Sequence, residues 1–320
     1  MAALATPLFR SRSSSAVPVS VVGCWRLLSH CWTRTRTRTA TSCRSLSDRT
    51  GEKNTHFGFE TVPEAEKAKK VYKVFENVAQ KYDVMNDAMS LGIHRLWKDA
   101  LLHVIHPQPG ACLLDVAGGT GDIALRFLDY VDSQKERQAH TPARQPLSGD
   151  DKGGVQTSRA VVCDINREML KVGKEKARHR SVSANLSWVV GDAEELPFDD
   201  QQFDIYTVAF GIRNVTRIEL ALQEAHRVLK PGGRFVCLEF SKVTHPLLAS
   251  LYDAYSFQVI PVLGEVIAGD WKSYQYLVES IRKFPAQEEF KDMMEDAGLC
   301  CVRYHNLTGG VVALHSGFKL

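Results

Sequence analysis

The sequence predicts an α/β protein: a mostly parallel, doubly wound sheet with an N-terminal helical cap and an antiparallel last strand. Three observations carry this. Short apolar runs alternate with amphipathic helical stretches between residues 111 and 240, the pattern of strand–helix–strand crossovers. The first run, Leu113-Leu114-Asp115-Val116, enters Ala117-Gly118-Gly119-Thr120-Gly121, whose glycines let the chain turn sharply and a ligand come close to the backbone. The next two runs end in Asp164 and Asp192, at the carboxyl ends of strands where open α/β sheets bind ligands.

The elements follow in order. Pro63 to about Gln80 places Ala68, Val71, Phe75 and Val78 at helical spacing, with Pro63 near the first position. A second helix runs from about His94 to Ile105 and stops before Pro107. Strand 111–116, the glycine turn and helix 121–131 come next, then strand 159–163, helix 166–178 and strand 186–190. Strand 203–209, helix 216–229 and strand 233–240 complete the alternation. Helices near 247–257, 271–283 and 286–297 precede two late strands, 300–306 and 310–316, divided by Gly309-Gly310. Residues 132–158 are polar, hold Pro142, Pro146, Gly149, Gly153 and Gly154, and read as a disordered surface insertion. That insertion explains a long spacing. Asp115 and Asp164 stand 49 residues apart, and 27 fewer leaves 22, near the ~20 that separate a glycine turn from a ribose-binding acid.

Composition bounds the function. In 320 residues, 44% hydrophobic and 24% charged describe an ordinary globular chain. The net charge of +3 misleads, because residues 1–47 hold seven arginines, no lysine and no acid, the composition of a mitochondrial transit peptide. Without those seven, 33 basic residues face 37 acidic ones, and no clustered basic face points to nucleic acid. No uninterrupted run of about 18 apolar residues predicts a membrane span. The five cysteines beyond residue 47 (Cys112, Cys163, Cys237, Cys300, Cys301) lack C-x-x-C spacing, and buried free thiols are expected rather than disulfides or a metal centre. His103 and His106 have no acid or cysteine at ligand spacing, so no metal site is expected there.

The glycine turn also fits the G-x-G-x-x-A pattern of dinucleotide binding in Gly119–Ala124. Asp115 and Asp122 flank it, whereas a pyrophosphate is best held by a helix N-terminus free of negative charge. These acids suit a ligand positive at this point, such as the ammonium and sulfonium of S-adenosylmethionine (SAM). Asp164 fits a ribose diol, or else caps the following helix. Asp192 and Ala193 fit the adenine, with Leu196-Pro197-Phe198 turning the chain around the ring, or else form a surface turn. Ala209-Phe210-Gly211-Ile212-Arg213-Asn214 ends the fourth strand and puts Arg213 and Asn214 near the reacting centre.

Two longer stretches add a resemblance. Tyr82-Asp83-Val84-Met85-Asn86-Asp87-Ala88-Met89-Ser90-Leu91-Gly92-Ile93-His94-Arg95-Leu96-Trp97 and Arg227-Val228-Leu229-Lys230-Pro231-Gly232-Gly233-Arg234-Phe235-Val236-Cys237-Leu238-Glu239-Phe240-Ser241 resemble the two signatures of the ubiquinone/menaquinone-biosynthesis C-methyltransferases. The resemblance runs from about residue 56 to 320, the insertion excepted. It implies the class I SAM-dependent methyltransferase (Rossmann-like) fold and SAM as methyl donor without a metal. Asp115, Gly118, Thr120, Asp164, Asp192 and Ala193 would then hold SAM; Ala209 departs from the Ser frequent in bacterial relatives. It further implies methyl transfer to a ring carbon of a polyprenyl benzoquinol, with Arg213 and Asn214 polarising a quinol oxygen and His94 as the alternative base. Tyr82, Met85, Asn86 and Trp97 would cap the site, and the apolar stretch 246–268 would berth the prenyl tail, face a membrane or form a dimer interface. The implied partners are other subunits of the coenzyme Q biosynthetic complex, and the implied location is peripheral, on the matrix side of the mitochondrial inner membrane. A nicotinamide oxidoreductase and a catalytically silent SAM-fold subunit of that complex are the competing readings.

Overall fold

The computed structural model describes residues 53–140, 157–178 and 180–320. The expected transit peptide, and residues 141–156 of the expected insertion, lie outside them. The chain opens with a hairpin of β1 (Asn54–Phe57) and β2 (Glu60–Pro63) that the sequence reading does not contain. Three cap helices follow, α1 (Glu64–Val78), α2 (Tyr82–Ser90) and α3 (Ile93–Ile105). Glu64 and Glu66 in the first turn of α1 complement its helix dipole. A left-handed His106, just before Pro107, ends α3.

The alternating region gives β3 (Cys112–Val116), α4 (Asp122–His140), β4 (Arg159–Asp164), α5 (Arg167–Ala177), β5 (Leu186–Val190), β6 (Phe203–Ala209), α6 (Ile218–Val228) and β7 (Leu229–Phe240). Then come α7 (Pro246–Ala254), α8 (Ile260–Leu263), α9 (Trp271–Lys283), α10 (Gln287–Asp296), β8 (Cys300–Leu307) and β9 (Val312–Phe318). The central sheet has the order β5-β4-β3-β6-β7-β9-β8. β9, the last strand in sequence, runs antiparallel to both neighbours, as expected, and the other pairings are parallel.

Side chains alternate across this sheet, so it is buried on both faces. Leu113, Val236 and Leu238 join one core with Leu101, Phe127 and Leu170 from α3, α4 and α5. Leu114, Phe235 and Cys237 join the other with Leu222, Phe290 and Met294 from α6 and α10. Each such side chain, fully buried, contributes about 1.5–3 kcal/mol. A third cluster holds the cap together through Val78, Met85, Ile260, Tyr274 and Val278.

Besides the hairpin and α2, three elements differ from the sequence reading. Helix α4 continues to His140, into the stretch read as insertion. An ion pair three residues apart, Asp132–Lys135, supports the polar helix there. Strand β7 begins at Leu229, which pairs with Phe203 before the register shifts and resumes at Arg234 opposite Ile205. Finally, the helix begun by α7 loosens into π-turns at Tyr255–Val259 and Gly264–Ala268, on either side of Pro261, which has no amide hydrogen to donate.

Candidate active site

A cleft of about 1100 Å³ lies over the carboxyl ends of β3 to β6. Its floor is the glycine turn. Gly121 has φ +76°, and a Cβ there would stand 2.6 Å from the Trp188 ring. A Cβ on Gly118 would stand 2.7 Å from Asp115 Oδ2, so only glycine lets the turn close over that carboxylate. Two non-glycine residues at the strand ends, Ala117 (φ +50°) and Phe210 (φ +58°), also adopt the left-handed conformation, a local strain that collects at functional sites.

Asp164 is not the cap of α5. Asn166 is, its side-chain oxygen accepting from the amides of Glu168 and Met169. Asp164 instead accepts from the amides of Gly119 and Asn166, each at 2.8 Å, and so ties the β4 end to the turn. Burial pushes its carboxyl up to about 6. Asp192 and Ala193 line the next part of the cleft; Asp192 is exposed and accepts from the Glu194 amide. Thr120 lines the floor.

The acids flanking the turn act differently from the sequence expectation. Asp115 is fully buried beneath it, Oδ1 accepting from Thr207 at 2.9 Å and Oδ2 without a partner. Burial pushes this carboxyl up to about 7. Asp122 carries its charge, because against burial the cations Lys98 and Arg126 hold its pKa down. That charge is compensated: Lys98 Nζ stands 2.8 Å and Arg126 Nε 3.1 Å away. Two free negative charges at the turn are therefore not what excludes a pyrophosphate.

Beside this cleft lies a second cavity of about 1000 Å³, walled mainly by apolar and aromatic side chains of the cap, α8 and α9. Phe75, Tyr82, Lys98 and Phe210 line both cavities and form the seam between them. His94, Trp97 and Lys98 share one face of α3 at spacings of three and four, and all three line the second cavity. Ser90 donates its one hydroxyl hydrogen to the Asn86 carbonyl (2.7 Å) and stands 2.8 Å from His94 Nδ1. Ser90 therefore accepts from Nδ1–H, which leaves the lone pair on Nε2. Burial, with the nearby Lys98 charge, lowers the His94 pKa although Asp87 stands 3.8 Å from Nε2.

Arg213 also lines this second cavity, held rather than free. Its Nη1 donates to Glu239 Oε1 at 3.0 Å and to the Phe210 carbonyl, and its Nε donates to Ser280. Asn214 departs from expectation, lining the cofactor cleft and not the apolar cavity; its Oδ1 accepts from Tyr276, which does line that cavity. Tyr82, Asn86 and Trp97 face the cavity as a cap would, while Met85 packs inside the cap core. The sequence reading missed Lys98, Glu239 and Tyr276. Lys98 had a usable signal: it follows the first signature directly and stands one helical turn from His94.

The chain compares with known proteins as follows. The ubiE/COQ5 methyltransferase family matches residues 63–319. The mitochondrial 2-methoxy-6-polyprenyl-1,4-benzoquinol methylase of Danio rerio is 70% identical over 290 residues, covering 88% of this chain and 89% of that one. Its Homo sapiens namesake is 68% identical, covering 87% and 88%. A solved SAM-dependent methyltransferase from Thermotoga maritima, a possible histamine N-methyltransferase, shares the fold at a TM-score of 0.52 and 17% identity, covering 78% of this chain and 100% of that one. With a glycine turn and strand-end carboxylates along a nucleoside-sized cleft, and this similarity over nearly its whole folded length, the chain belongs to the ubiE/COQ5 family of SAM-dependent methyltransferases.

Proposed function

We propose that the chain transfers a methyl group from SAM to a ring carbon of 2-methoxy-6-polyprenyl-1,4-benzoquinol, giving 5-methoxy-2-methyl-3-polyprenyl-1,4-benzoquinol in coenzyme Q synthesis. The observation that carries this reading is the seam. An acid-lined cleft shares the walls Phe75, Tyr82, Lys98 and Phe210 with an apolar cavity, as a charged donor and a lipid-like acceptor require. The names of the similar proteins supply the acceptor.

The cleft fits SAM by its own chemistry. Asp164 has acceptor capacity beyond its two backbone amides and suits a ribose diol, and Asp192 with Ala193 suits the adenine. Asp115 Oδ2 is a buried acceptor without a partner directly under the turn, next to Gly118 and Thr120. When bound, SAM supplies an electrophilic methyl on a sulfonium.

The residues of the second cavity act on the acceptor. A neutral phenol, with a pKa near 10, is a modest carbon nucleophile; loss of its proton sends electron density onto the ortho carbon. His94 takes that proton at Nε2, the nitrogen its bond to Ser90 leaves basic, and returns it to the oxygen once the methylated ring carbon has shed its own proton to solvent, which restores the quinol. Arg213 lines the same cavity, its guanidinium fixed by Glu239, and favours the developing phenolate. Asn214 acts through Tyr276, holding that phenol at the cavity wall. Aromatic walls exclude water and align the ring, and such positioning recovers roughly 7–11 kcal/mol of barrier.

The prenyl tail leaves past α7 and α8. Tyr252, Tyr255 and Ile260 line the cavity from inside, while Leu247, Leu251, Val262 and Val266 are exposed. Beside α8, α2 leads to Leu91 (86% exposed) and Leu96 at the start of α3. An apolar surface over an apolar cavity suits a peripheral contact with the matrix face of the mitochondrial inner membrane. Among the described residues no helix is long and apolar enough to cross it. Association with other coenzyme Q biosynthetic subunits, and a homodimer, belong to the same proposal.

The test is to incubate the chain from residue 48 with SAM and a short-tailed methoxy-hydroquinol and to locate the added mass. One methyl on a ring carbon is expected. SAM binding without any product, even with partner subunits supplied, would favour a silent structural subunit. Flotation with cardiolipin-containing liposomes reports the membrane contact, and L91D/L96D should abolish it; a chain that does not float refutes it.

A further inference from the structure

Across the sheet order β5-β4-β3, Asp192 stands at the first strand end, Asp164 at the second and the glycine turn at the third. Adenine and ribose account for the first two positions in the reading above, on which this inference rests. What remains of SAM is its amino-acid head, one ammonium and one carboxylate, over β3 and the start of α4. The cleft lining is strongly acidic: Asp115, Asp122, Asp164, Asp192 and Glu194. Among the described residues lining it, Lys98 is the only basic side chain. A carboxylate entering five acids has one cation to meet.

We infer that Lys98 is the recognition residue for the methionyl carboxylate, with Asp122 and Asp115 facing the methionyl ammonium, so that the ion pair matches the zwitterion charge for charge. Lys98 is 9% exposed and rises from α3 to stand 2.8 Å from Asp122 at the first residue of α4. An ammonium has three hydrogens, and Asp122 takes one. Arg126 keeps Asp122 compensated at 3.1 Å when Lys98 turns to a ligand. Because Lys98 comes from the cap, on the face of α3 that carries His94, donor binding also fixes the wall of the acceptor cavity.

The test compares SAM with decarboxylated SAM, which keeps the nucleoside and sulfonium but lacks the carboxylate, by calorimetry on wild type, K98M and K98R. The expected result is a loss of about 10- to 100-fold in SAM affinity for K98M, the worth of a charged hydrogen bond, with K98R retaining most of it. Decarboxylated SAM should bind wild type and K98M equally, which also reports that the variant is folded. Unchanged SAM affinity in K98M overturns the inference and, if turnover is lost, moves Lys98 to the acceptor. Equal loss of both ligands overturns it too, since that marks a purely structural ion pair. A wild-type chain that binds neither ligand refutes the SAM cleft itself, a separate result.

Discussion

Arg213 and Glu239 are 6% and 1% exposed, and removing one partner should cost far more than removing both. Glu239 takes Arg213 Nη1 at 3.0 and 3.3 Å and the Phe240 amide at 2.9 Å. E239L strips those acceptors and leaves a buried guanidinium with only the Phe210 carbonyl and Ser280. Such an uncompensated charge costs about 3–5 kcal/mol, a large share of the roughly 5–15 kcal/mol that holds a domain folded. R213M leaves the acid instead, and the acid can neutralise. Burial already raises the Glu239 pKa, with Arg213 pulling it back, so without Arg213 it rises further. A carboxyl whose folded pKa exceeds its unfolded one stabilises most below the unfolded value and loses that contribution as pH climbs through the folded value. The R213M deficit should therefore be smallest in acid and grow toward neutral pH. R213M/E239L removes both charges and should recover at least the ~3–5 kcal/mol that E239L alone loses, yet have no turnover. Urea midpoints across pH, with turnover on each variant, decide it. An E239L chain as stable as wild type, or a double variant with wild-type turnover, would refute the reasoning.

H94Q should lower turnover about 10²- to 10⁴-fold, the range for a lost general base, with SAM affinity unchanged in calorimetry; in wild type the acid limb of turnover should fall below 6.5, because the His94 pKa is lowered. Asp164, pushed up to about 6 from 3.8, makes the ligand-free chain about 3 kcal/mol less stable above pH 6 than below 4, at 1.36 kcal/mol per unit. Ribose hydroxyls favour its ionised form, so SAM binding near pH 5.5 should release protons, read as different heats in buffers of different ionisation enthalpy; equal heats contradict it. G121A should destabilise by about 1–3 kcal/mol and weaken SAM binding, since its Cβ meets Trp188 at 2.6 Å in a left-handed turn; an unchanged melting temperature argues against a rigid turn.

The parallel sheet was legible because its strands are short, apolar and bounded by glycine, so that alternation alone orders β3 to β7. The hairpin Asn54–Pro63 was not: its cross-strand partners, such as Thr55 with Val62 and His56 with Thr61, are polar or mixed, and it is held from outside by Phe57 stacking on Tyr276 and Glu279 accepting the Phe59 amide. Helix α2 was hidden because its apolar residues Tyr82, Met85 and Met89 are interspersed with Asp83, Asn86 and Asp87 and are spent on the cap cluster. At the site, strand ends announced Asp164 and Asp192, since position along the chain gives position along the cleft. It gave neither the depth of Asp115, which lies in the sheet beneath Gly118 with Thr207 of β6 as its partner, nor the pairing of Asp122 with Lys98, which depends on α3 folding back from outside the alternating region.

That fold-back explains the division of labour between the two cavities. A charged donor needs polar walls; a prenylated ring needs apolar ones, and a phenolate forming among them is costly unless a fixed charge awaits it. In this chain the strand ends supply the acids of the first set of walls and the cap closes it with α1 and Lys98, while the cap, with α8 and α9, supplies the second. The lysine and the arginine that line them are each bound in a pair: Lys98 with Asp122, and Arg213 with Glu239. A pair lowers the cost of keeping a cation buried while no ligand is present, at the expense of part of its pull on the ligand. The two cations then differ in what they can give. Lys98 shares its carboxylate with Arg126 and has hydrogens to spare, which suits binding and release of a donor in each turnover. Arg213 is locked by Glu239, Ser280 and the Phe210 carbonyl, which suits a charge that must already be in place when the phenolate forms.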